Sequence, residues 1–140
     1  MLDLGLMQSL AHLPVNREIQ QTDLLAIFRG KLAEQFVAQE LLAWHSEKLY
    51  YWSRAARSSN AEVDFLTVRK GEIYPVEVKS GPAGRLRSLH LFLDTYPQCK
   101  EGWVLRDGPY EELPGQKLIF WPLYATTHMG DKGRIPRFNF

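Results

Sequence analysis

The stretch Glu62-Val63-Asp64-Phe65-Leu66-Thr67-Val68-Arg69-Lys70-Gly71-Glu72-Ile73-Tyr74-Pro75-Val76-Glu77-Val78-Lys79 decides how the rest of the chain is read. Apolar and polar residues alternate on both sides of Lys70-Gly71, which predicts two short strands joined by a tight turn. Side chains two apart on a strand share a face, so Glu77 and Lys79 stand together with the Val78 backbone carbonyl between them. The same alternation puts Asp64 on one face with Leu66 and Val68, and a hairpin of this length brings it alongside Glu77. Two carboxylates and an ammonium then converge. Asp64 and Glu77 as hard oxygen ligands, with the Val78 carbonyl, suit magnesium or manganese, which bind few protein groups and keep several waters. A lysine beside such an ion can orient or deprotonate a water, as phosphodiester hydrolysis requires. The competing reading of Glu77-x-Lys79 is a solvated face carrying a minor ion pair.

About thirty positions upstream, Gly30-Lys31-Leu32-Ala33-Glu34-Gln35-Phe36-Val37-Ala38-Gln39-Glu40-Leu41-Leu42 has strong helical character, within a helix expected over residues 24–45. On a helical wheel Glu34 shares its stripe with Ile27, Gly30, Val37, Ala38 and Leu41. A carboxylate on an apolar face needs a partner or a metal to offset its desolvation, which ranks Glu34 above Glu40 and Glu47 as a site residue. The alternatives are a carboxylate favoured by the helix dipole, or a helix turned so that Glu34 reaches water.

The order helix Glu, strand Asp, strand Glu-x-Lys resembles the PD-(D/E)XK nuclease-like superfamily. Phe28-Arg29-Gly30-Lys31-Leu32-Ala33-Glu34, Tyr51-Trp52, Glu62-Val63-Asp64-Phe65 and Pro75-Val76-Glu77-Val78-Lys79-Ser80-Gly81 are similar, more closely, to an uncharacterised domain at the C-terminus of predicted bacterial and archaeal AAA-type ATPases. The resemblance runs from about Asp3 to Tyr124. It implies an α/β fold with a restriction-endonuclease-like core of helix, three strands, helix and strand around a mixed central sheet. It also implies Asp64 and Glu77 as metal ligands, Lys79 as the catalytic lysine and Glu34 as an auxiliary acid. Where the superfamily pattern places a proline before the aspartate, this chain has Val63.

With 140 residues and 45% hydrophobic content, the chain suits one domain with a substantial core. A single cysteine, Cys99, excludes an internal disulfide, and no Cys/His cluster offers a zinc site. The opening Met1-Leu2-Asp3-Leu4-Gly5-Leu6-Met7 lacks the pattern of a signal peptide and no stretch resembles a membrane span, so the expectation is a soluble cytoplasmic protein. A formal net charge of +1 gives no global drive toward nucleic acid, so any such contact depends on local patches.

A short helix is expected over residues 2–12, and its Asp3-Leu4-Gly5-Leu6 resembles the opening of the ATPase-associated domain, which suggests a fragment or a shortened relative. No Gly-x-x-x-x-Gly-Lys-Ser/Thr loop is present, so the chain has no ATP site by that route. Residues 16–23 read as a loop, 48–54 as the first strand and 55–61 as a turn. After Ser80-Gly81-Pro82-Ala83-Gly84 breaks the chain, Leu86, Leu89, Phe92 and Leu93 give a helix over 85–96. Residues 103–105 and 117–121 read as further strands, 122–124 close a domain of residues 1–125, and a loose tail is expected over 126–140. Arg54, Arg57, Arg85 and Arg87 are candidate phosphate contacts, the last two at a helix start that favours anions, with plain solvation as the competing reading.

Two functions follow as expectations. One is a magnesium- or manganese-dependent nuclease using Glu34, Asp64, Glu77 and Lys79, with DNA ahead of RNA as substrate. The other is a non-catalytic interaction or regulatory module of an AAA-type ATPase, its carboxylates held in structural ion pairs. An ATPase module in a parent protein and a homo-oligomer are the partners considered.

Overall fold

The computed structural model describes residues 23–44, 48–56, 60–81 and 85–131. Helix α1 spans Asp23–Trp44, and strands β1 (Tyr50–Ala55), β2 (Asn60–Arg69) and β3 (Glu72–Lys79) follow. Helix α2 (Arg87–Thr95) then leads to β4 (Gly102–Arg106), β5 (Glu111–Leu113) and β6 (Leu118–Pro122). The expected helices and strands all form within these residues, with ends shifted by a few positions. The helix expected over 2–12 and the loop start at residue 16 lie outside the described residues.

The six strands make one mixed sheet in the order β1-β2-β3-β4-β6-β5. The β2–β3 hairpin turns at Lys70 and Gly71, whose φ values of 52° and 79° are both left-handed. That is the backbone of a two-residue hairpin turn whose twist matches the strands. β3, β4 and β6 run parallel to one another. Parallel neighbours need a crossover, and α2 supplies the one between β3 and β4.

The two faces of the sheet carry separate cores. On one face Val37 and Leu41 of α1, one helical turn apart, pack with Val76, Val78, Trp103, Leu105, Ile119 and Trp121. On the other, Leu89, Phe92 and Leu93 of α2 pack with Val63, Val104, Leu118 and Phe120. Val76 and Val78 face α1, so the alternation of β3 sends Glu77 and Lys79 to the opposite face.

One strand is unexpected and one expectation is corrected. Residues 111–113 form a strand, because Glu111, Glu112 and Leu113 pair antiparallel with Phe120, Ile119 and Leu118. The loose tail expected from residue 126 does not begin there: a 3-10 helix, Leu123–His128, buries Ala125 and Thr126, and Met129 fills the α1-side core. The Arg69 guanidinium donates to the Met129 carbonyl and ties this segment to β2.

Candidate active site

β2 pairs with β1 through Trp52↔Val63 and Tyr50↔Leu66. Between these pairs β1 has one residue, Tyr51, and β2 has two, Asp64 and Phe65. That is a β-bulge, and it reverses the alternation of β2: Val63 and Leu66 both pack on the α2 side while Phe65 packs on the α1 side. Phe65 and Leu66 still face opposite sides as alternation requires, and Val63 is the residue out of step with Phe65. Bulges re-aim side chains, and this one sits at the candidate ligand itself.

The β2–β3 ladder runs from Arg69↔Glu72 to Phe65↔Val76. Beyond it, the Val78 N–H donates to the Asp64 carboxylate, N to Oδ2 2.8 Å, in place of a β2 carbonyl. The N–H and C=O of one strand residue point to the same side, so the Val78 carbonyl is also directed toward the β2 side, where Asp64 lies. Glu77 and Lys79 stand together as the spacing predicts, Lys79 Nζ donating to Glu77 Oε1 at 2.6 Å. The other Glu77 oxygen, Oε2, is buried with no hydrogen-bond partner.

Burial pushes the Asp64 carboxyl up to about 6, with repulsion from Glu77 and Glu34 adding to it and the Val78 N–H and Lys79 opposing it. Burial also raises the Glu77 carboxyl, against the pull of Lys79, and Glu34 and Glu62 push it the same way. Glu34 is thus close enough to act on both carboxylates across the gap from α1. It is a third exposed and pairs with Lys31 Nζ at 2.8 Å, so the alternative of a helix turned partly to water holds alongside its proximity to the site. A Cβ on Gly30 would meet Ser80 Oγ at 3.6 Å, which shows how closely α1 approaches the chain just after Lys79.

The donor set matches magnesium in chemistry: two carboxylates, one with an oxygen that nothing in the protein satisfies, and a carbonyl. Among the described residues no group of three or more His, Cys, Asp or Glu is arranged as a cage for an ion. Such a cage is what zinc or calcium takes; magnesium usually binds one or two carboxylates and retains water.

A sequence profile for a domain of unknown function, DUF4143, matches residues 29–125, well over half of the chain. The chain belongs to this family. Comparisons with curated proteins and with solved structures gave no match. The DUF4143 match covers every residue of the site, from Glu34 on α1 through the β2–β3 hairpin.

The arginines surround the DUF4143 site unevenly. Arg54 is exposed on β1 opposite Ala61, next to the Ser53↔Glu62 pair. Arg85 and Arg87 are exposed at the start of α2, which is pinned to β2 by the Glu62 N–H donating to Ser88 Oγ at 3.3 Å. Arg57 lies outside the described residues. Sequence reading missed Lys31 and Glu62. The first was legible as a Lys-Glu pair at i, i+3, and the second as the carboxylate two before Asp64. It also missed the cleft of about 260 Å³ beside Asp64, lined by Leu49, Tyr50, Tyr51, Glu62 and Phe65. Among the described residues no helix is long and apolar enough to cross a membrane.

Proposed function

We propose that this domain has a PD-(D/E)XK-type core and is a magnesium-dependent nuclease that hydrolyses nucleic-acid phosphodiesters, DNA ahead of RNA. The observation that carries the reading is the Asp64 to Val78 N–H bond, which holds Asp64 to the backbone between Glu77 and Lys79, where Glu77 Oε2 is buried without a hydrogen-bond partner. Asp64, Glu77 and the Val78 carbonyl would hold the ion, which supplies charge neutralisation at the scissile phosphate. Lys79, fixed by Glu77, orients the attacking water and takes part in its deprotonation. Glu34 sits across the gap as an auxiliary acid, and Arg54, Arg85 and Arg87 contact the flanking phosphates. The domain works in the cytoplasm beside an AAA-type ATPase module.

The test is cleavage of labelled single-stranded, double-stranded and branched DNA, and of RNA, with magnesium or manganese. Cutting that Asp64→Ala and Lys79→Ala both abolish, with folding intact, is the expected outcome. A second reading, a non-catalytic regulatory module of an ATPase, is favoured by the ion pairs Lys31–Glu34 and Lys79–Glu77, which partly satisfy the acidic groups without any ion. A folded protein that binds no magnesium or manganese by calorimetry and cuts none of these substrates overturns the nuclease reading in favour of the second.

A further inference from the structure

β1 is an edge strand that pairs with β2 along one side, with one anchored side chain and exposed neighbours. Trp52 is the anchor, edge-on to Phe92 at 5.4 Å and to Tyr96 at 6.4 Å, its indole N–H donating to the Tyr96 hydroxyl at 3.3 Å. Tyr50 and Tyr51 are instead 54% and 68% exposed, and both line the cleft that Asp64 and Glu62 share. Tyr51 is the single β1 residue opposite the Asp64-Phe65 bulge, and it lines the same cleft as the candidate catalytic carboxylate.

The cleft's chemistry selects its occupant. Glu62 and Asp64 repel a phosphate, whereas a neutral planar ring is tolerated there and gains a stacking face. A tyrosine ring on a rigid strand loses little side-chain entropy on binding, and every nucleobase offers a π-face to it. A base inside a duplex has both faces covered by its neighbours, so only an unpaired one is free to take the position.

Resting on the nuclease reading above, we propose that Tyr51, flanked by Tyr50, stacks an unpaired base of single-stranded DNA beside Asp64, and that the domain acts on single strands or frayed ends. The base lies in the acidic cleft, with its phosphates outside it.

Binding is measured by fluorescence anisotropy, using labelled oligothymidylate and a blunt labelled duplex, with calcium present and with the Lys79→Ala chain, so that turnover does not enter. The chain is compared with Tyr51→Ala and Tyr51→Phe. Loss of about tenfold in single-strand affinity in Tyr51→Ala, with Tyr51→Phe unchanged, is the expected result. Equal binding of duplex and single strand, unaltered affinity in Tyr51→Ala, or no oligothymidylate binding overturns the inference. Cleavage assayed separately keeps the two ideas apart. Tyr51-dependent binding without any cutting sinks the nuclease alone, and metal-dependent cutting indifferent to Tyr51 sinks the stacking role alone.

Discussion

The Asp64 carboxylate accepts the Val78 backbone N–H at 2.8 Å, one bond that closes the open end of the β2–β3 hairpin and brings together the candidate ligands. Because this carboxylate is both desolvated and repelled by Glu77, its charge destabilises the metal-free fold while its oxygen stabilises it. Asp64→Asn keeps an oxygen for Val78 and removes the charge, so it melts at the same or a higher temperature than the parent chain without metal. Asp64→Ala orphans the Val78 N–H and costs about 1 to 3 kcal/mol relative to Asp64→Asn. Denaturant titration of the three proteins checks the order, and both variants lose metal binding.

The pH dependence follows from the same group. Its folded pKa, about 6, lies above the ordinary 3.8, so between these values the folded state binds more protons than the unfolded state. Stability from this site is therefore fully present below about pH 4 and lost as pH rises through 6, a difference on the order of 2 kcal/mol once its partial contact with water is allowed for. Glu77 shifts in the same direction. Unfolding curves of metal-free protein between pH 4.5 and 7.5 should show this slope, and a slope as steep in Asp64→Asn would sink the assignment. Since an ion competes with the proton, magnesium affinity should strengthen over the same window.

Magnesium should raise the melting temperature of the parent chain by mass action, with a shift that grows with the logarithm of its concentration. Asp64→Asn and Glu77→Gln should show no such shift. A comparable shift in either variant places the ion elsewhere.

Removing Lys79 leaves Glu77, largely buried, without the ammonium that sits 2.6 Å from it. Lys79→Met should therefore raise the Glu77 carboxyl further, retain a folded protein and lower any cleavage rate about 100-fold or more, the range of a lost proton-transfer group. Glu34→Gln, acting across the gap, should lower the rate less. The ranking of single-turnover rates decides between these roles.

Leu41 is buried on α1 against the sheet, and Leu41→Ala should cost about 2 to 5 kcal/mol. Since α1 carries Glu34, the loosened helix should weaken cleavage in parallel with its loss of stability, whereas Tyr51→Ala should leave stability nearly unchanged. Paired melting and rate measurements separate the two effects.

The sequence by itself determined much of this: the turn at Lys70-Gly71, the common face of Glu77 and Lys79, the long helix bearing Glu34, and the crossover helix after the site. These are local properties, fixed by side-chain periods of two and 3.6 and by residues that tolerate a left-handed backbone. Tertiary structure decided the rest. The bulge at Asp64-Phe65 exists only as a mismatch of register between β1 and β2, and it puts Val63 out of step with Phe65. Glu111-Glu112-Leu113 became a strand through its pairing with β6, and Thr126 and Met129 were buried by a core assembled from segments far apart in the chain. The bond between Asp64 and Val78 belongs to this second class, because a contact across fourteen positions depends on where two strands stop pairing, and no residue pattern within either strand encodes that point.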